Sequence, residues 1–113
     1  MYLGNFSDDY SIHYIITDSA FIQLPKISYS IIKWNVKEKY IIAQNGALNP
    51  SDKNLFTRID YMEFENMNPF LWGFCYTEYK APNIKAAEKA ISADRLNPKK
   101  GCNGYPFSRL KRD

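Results

Sequence analysis

Only two cysteines and one histidine occur among the 113 residues, and that shortage removes most metal and nucleophile chemistry. Cys75 and Cys102 do not stand in Cys-x-x-Cys spacing, and His13 is far from both, so a zinc site lacks ligands. Gly-x-Ser-x-Gly, a phosphate-cradling glycine loop and His-Glu-x-x-His are all missing. No catalytic residue, metal or cofactor is therefore expected, and the chain does not read as an enzyme. Long apolar runs are missing too: nothing approaches the roughly 18 residues of a membrane helix. The first nine residues have neither a basic nor an apolar region of the kind a secretory signal carries. An excess of one charge is also absent. A formal net charge of +3, with 12 acidic residues interspersed among 15 basic ones, leaves no basic stripe for nucleic acid.

Aromatic residues make up 16% of the chain, nine of them tyrosines, and they favour strands over a helical bundle. The length suits one domain, residues 1–113, with a single modest core. Period-2 alternation is the dominant pattern. It marks strands over 11–17, 20–24, 27–34, 40–45, 55–64 and from Phe70 to Tyr79. In the third, Tyr29 and Ile31 share one face while Ile32 and Trp34 share the other. The turn-rich stretch Gly46–Asn54 reads as a mobile loop. One helix is expected, capped at Asn83, with Ile84, Ala87 and Ile91 on its buried face and a stop at Asn97-Pro98. The closing Arg109-Leu110-Lys111-Arg112 reads as a solvated basic tail. The fold class that follows is mainly β with one C-terminal helix packed outside. Six or seven antiparallel strands form a meander that curls into a sheet or small barrel, with a two-sheet sandwich as the alternative.

Phe70, Trp72, Phe74 and Tyr76 share the large face of the most apolar strand, whereas Gly73 and Cys75 on the small face leave room for the helix and the Cys102 turn to dock. Two cysteines, one in this strand and one in the Gly101–Gly104 turn, suit a Cys75–Cys102 disulfide worth about 3–4 kcal/mol by loop closure. Two free buried thiols in a reducing compartment are the alternative.

Arg58 and Asp60 lie two apart on one strand and so point to one face. There they either project into a cavity between Phe56, Met62 and Phe64 or satisfy each other as an ion pair. In a pocket, Arg58 clamps a carboxylate or phosphate through its fork of donors. Trp34 and Trp72 either stack on an aromatic ligand or a sugar or pack in the core, Gln44 and Asn45 either offer hydrogen bonds at a pocket mouth or form a turn, and Tyr76 can line the pocket with the Phe70, Trp72, Phe74 face.

Gly4-Asn5-Phe6, Trp34-Asn35, Ile42 to Asn45, Arg58-Ile59-Asp60, Trp72 to Cys75, Ala93-Asp94-Arg95 and Gly101 to Phe107 together resemble a set of small bacterial exported or lipoprotein-type β-rich domains of no assigned activity. In outline the chain is also similar to lipocalin-type barrels, with Phe6 where that family favours tryptophan. The resemblance implies an extracytoplasmic location, in the periplasm or at the cell surface, with a signal or lipid anchor removed ahead of Met1. It supports the cysteine bridge and carries no catalytic residue over. The function expected is a binding module for a small apolar, aromatic or anionic ligand or for a protein partner. Alternatives are a single-stranded nucleic-acid binder of OB type, which the charge disfavours, and a structural surface or assembly domain.

Overall fold

Alternating apolar residues become eight strands in the computed structural model, which describes residues 1–113. They are β1 (Gly4–Ser7), β2 (His13–Ile16), β3 (Ala20–Gln23), β4 (Ile27–Asn35), β5 (Tyr40–Asn45), β6 (Phe56–Glu63), β7 (Trp72–Ala81) and β8 (Ser108–Arg112). A single helix, α1 (Ile84–Glu88), lies between β7 and β8. Each strand pairs antiparallel with its sequence neighbour, and β8 returns to β1, so the sheet closes into a barrel without a free edge strand. Closure decides between the barrel and the sandwich.

The strand beyond the expected six or seven is β8, the segment that reads as a basic tail. Leu110 is fully buried opposite Trp72, while Arg109 and Lys111 alternate away from the core. One leucine among basic residues is enough to seat a strand whose charges stay outside, and a charge count alone hides it.

The barrel interior is filled. Phe6, Tyr14, Phe21, Tyr61, Trp72 and Phe74 interlock there, with edge-on rings such as Phe21–Phe74 at 5.1 Å and Phe6–Trp72 at 5.6 Å. In β4 the register shifts between Ile31 and Lys33. This bulge reverses the alternation, so Trp34 packs against the same core as Tyr29 and Ile31 instead of facing away from them. Two polar atoms in this core, the Tyr61 hydroxyl and the Trp72 indole nitrogen, have no hydrogen-bond partner.

A second, smaller cluster lies on the outside, where the connection from Pro82 to Phe107 covers the outer wall. Tyr40, Ile42 and Ala81 pack there against Ala87 of α1. The helix is far shorter than its periodicity predicts. Asn83 caps it as expected, its side chain accepting from the Ala86 N–H at 2.8 Å. Ile91, however, is 89% exposed and non-helical. The backbone groups that would extend the helix are used elsewhere: the Glu88 carbonyl accepts from Arg58 at 2.9 Å, and the Ala93 N–H donates to Asp60 at 3.1 Å. Tertiary hydrogen bonds override a weak local preference.

The Cys75–Cys102 disulfide ties the end of this connection to β7, and no cysteine is free. Gly101 beside it has no substitute, because a Cβ there would lie 1.9 Å from the Asp94 carbonyl oxygen. Gly73 also leaves room, though for a different neighbour than the helix: a Cβ would meet the Phe64 ring at 2.7 Å and the Ser108 carbonyl at 2.9 Å.

Candidate functional site

The residues that the sequence singles out are distributed by the barrel among three places. Arg58 and Asp60 do share a face, the outer one, beneath the covering connection. They are 5% and 0% exposed and line neither of the two main concavities of the molecule. Asp60 accepts from Arg58 at 3.2 Å, from Arg95 at 3.0 Å, from the Ala93 N–H and from the Thr77 hydroxyl. Arg58 spends its remaining donors on the Glu88 carbonyl and the Ser92 hydroxyl, and its guanidinium lies 4.0 Å from the Tyr40 ring centre. Arg95 adds bonds to the carbonyls of Tyr61, Glu38 and Lys39. A clamp for a ligand needs free donors, and Arg58 has spent its own on the fold. The pair is an ion pair that fastens the connection to β6, the second of the two roles open to it.

Trp72 is fully buried and Trp34 half-buried in the core, where the Trp34 indole donates to the Asp18 carbonyl at 2.9 Å. Trp72 therefore presents no open stacking face. Gln44 points outward and donates to the Asn54 carbonyl at 3.2 Å. Of these six, only Tyr76 lines one of the two main concavities, a depression of about 230 Å³ at one barrel mouth that Tyr29, Asn45, Asp52 and Tyr79 also line. Its polar floor is largely self-satisfied. Tyr76 donates to Gln23 at 3.0 Å, and the Asn45 amide donates to the carbonyls of Asp52 and Tyr79 at 2.9 Å each. Burial pushes the Tyr76 and Tyr29 phenols above their ordinary range, so both stay neutral. The Gly46–Asn54 loop, expected to be mobile, is held here: the Asn49 side chain accepts from the Ser28 N–H and donates to the Ser28 carbonyl, both at 2.9 Å.

The larger concavity, about 420 Å³, lies on the outer wall and contains none of the residues expected to bind. Phe64, Met67, Pro98, Pro106 and Phe107 make its apolar walls, with Tyr10, 83% exposed, at the rim. Three sequence-distant segments meet there: the β1–β2 turn, the β6–β7 loop and the run into β8. Asp8 closes the turn from below. Its carboxylate accepts the N–H groups of Tyr10 and Ile12 and the Tyr14 hydroxyl, and burial, together with that carboxylate, holds the Tyr14 phenol well above its usual range. Across the groove, Arg109 donates twice to Asp9, at 2.8 and 2.9 Å, and lies 4.2 Å from the Phe70 ring centre. Lys99 at the rim forms no salt bridge. The signal for this site in the sequence is slight: Tyr105-Pro106-Phe107 is an apolar patch just ahead of a basic segment, and nothing local joins it to Tyr10 or Met67.

Nothing converges on a metal, since no group of three or more His, Cys, Asp or Glu side chains comes together. No helix is long and apolar enough to cross a membrane. Fold and site define a closed antiparallel barrel with a filled interior and an apolar groove on its outer wall. Compared with protein-family models, curated proteins and solved structures, the chain matches none of them.

Proposed function

We propose that the protein is a non-catalytic binding module that works outside the cytoplasm and takes its ligand in the groove on the outer wall. The observation that carries this reading is the contrast between a barrel interior filled by its own aromatic rings and an exposed apolar groove of about 420 Å³ that nothing in the chain fills. Apolar clefts with a few placed charges are the usual form of a ligand site. Here Lys99, which forms no salt bridge, supplies the free charge beside the Arg109–Asp9 pair, and the bound species is apolar or aromatic with an anionic group. An anilinonaphthalene sulfonate has that chemistry and is the probe of choice. Its fluorescence enhancement is expected to fall at least tenfold in affinity on Met67→Glu, and to be unaffected by Tyr79→Ala at the barrel mouth. Equal binding by wild type and Met67→Glu sinks the groove as the site.

The location rests on the Cys75–Cys102 bridge, which an oxidising compartment maintains. Protein taken from its own cell and alkylated without reductant is expected to show no modified thiol by mass. Two alkylated cysteines would place it in a reducing compartment.

A further inference from the structure

The groove runs along the least-zipped seam of the barrel. β8 pairs with β7 through Ser108, Arg109 and Leu110, but with β1 only through Lys111 and Arg112. In an antiparallel ladder successive residues direct their N–H and C=O groups to opposite neighbours. The Asp113 N–H donates to the Asn5 carbonyl and the Leu110 carbonyl accepts from the Leu71 N–H, so odd-numbered residues here face β1 and even-numbered ones face β7. Arg109 thus directs its N–H and C=O towards the β1 side. The chain there has already turned away at Asp8–Tyr10, and no main-chain bond joins those residues to Ser108 or Arg109.

The groove itself is lined by Asp8 and Asp9 as well as by Lys99 and Arg109, but Asp8 is taken up by its own turn and the chain leading into and through β8 is basic. Lys99, Lys100, Arg109, Lys111 and Arg112 fall within the last 15 residues, with Asp113 as the only acid among them. Lys99, Lys100 and Lys111 form no salt bridge, and Arg112 donates only to neutral carbonyls. The single carboxylate that faces Arg109 is the chain's own Asp9, in a bidentate pair with both side chains more than a third exposed. A carboxylate already fits that seat, and the pair is open enough to exchange.

Resting on the groove as the binding site, we propose that its occupant is an extended acidic segment of a partner protein. Its main chain bonds to the N–H and C=O of Arg109, its carboxylates meet Lys99, Lys111 and Arg109, and one apolar side chain enters between Phe64, Met67 and Phe107. Strand addition of this kind draws affinity from main-chain bonds and specificity from the pocket beside them.

The test is an amide NMR titration of the intact disulfide-bonded protein with a blocked hexapeptide that alternates glutamate with valine around a central phenylalanine. Three competitors accompany it: the same peptide with lysine for glutamate, the same peptide N-methylated on both sides of the phenylalanine, and oligo-dT. The acidic peptide is expected to shift the Arg109 amide and to slow its hydrogen exchange. Its affinity should fall at least tenfold on N-methylation, at least tenfold with lysine, and steeply with salt. If the naphthalene probe binds the groove while the acidic peptide leaves Arg109 unmoved, the peptide inference falls and the groove reading stands. If neither binds, both fall. Equal binding of the methylated peptide removes main-chain pairing, equal binding of the lysine peptide removes the charge argument, and a shift of Arg109 by oligo-dT replaces the peptide with a nucleic acid.

Discussion

Asp60 and Tyr61 are adjacent on β6 and both are buried, yet they belong to two kinds of interior. Tyr61 turns inward among Trp72, Trp34 and Tyr2, with its hydroxyl unpartnered in a core built on ring contacts. Asp60 turns outward and is buried only because the connection folds over it, with every contact charged or hydrogen-bonded. The inner core gains stability from apolar area and tolerates a missing hydrogen bond. The outer patch is stable only while all of its partners are present.

The largest effect expected from that contrast is at Asp60. Asp60→Ala leaves Arg58 and Arg95 facing each other without a counter-charge, and breaking such a buried pair costs about 3–5 kcal/mol. Arg58→Met combined with Asp60→Leu should cost clearly less than Asp60→Ala alone, because the only charge then left without its partner is that of the partly exposed Arg95. Denaturant unfolding of the three proteins checks this. A loss in the double variant as large as that of Asp60→Ala would show that the stranded Arg58 charge is not what costs stability, and would dissolve the distinction between the two interiors.

At the small end stands Tyr61→Phe, which deletes a hydroxyl that bonds to nothing. Stability should stay unchanged or rise by up to about 1 kcal/mol. A clear loss in the same unfolding assay would mean that the hydroxyl has a partner and that the inner core depends on polar satisfaction as the outer patch does.

Much of this fold is legible from alternation. The paired faces of β6 and β7, the cap at Asn83 and the placing of Cys75 and Cys102 to suit a bridge all follow from local chemistry. What alternation leaves open is which face becomes the barrel interior. On β6 Ile59 and Tyr61 went inside, and Arg58 with Asp60 went under a segment some thirty residues further on. Trp34 changed sides through a bulge that no residue type announces. The helix stopped early because Arg58 and Asp60 captured its next backbone groups.

The candidate site was less legible still. Apart from Tyr76 and Asn45 at the mouth depression, the residues that looked able to bind are spent on the core, on fastening the connection or, for Gln44, on the Asn54 carbonyl. The groove instead draws on Tyr10, Met67 and Phe107, which the closure of β8 onto β1 brings together.

By itself, then, the sequence determined that this is a small, strand-rich chain with two cysteines that suit a bridge, because period-2 patterning, aromatic content and cysteine positions are local properties; the bond itself is a finding of the structure. Only the tertiary structure decided that the sheet closes, that the barrel is full and that the open apolar surface is on its outer wall. Those outcomes depend on which distant segments meet, and the pairing of β8 with β1 joins residues more than a hundred positions apart.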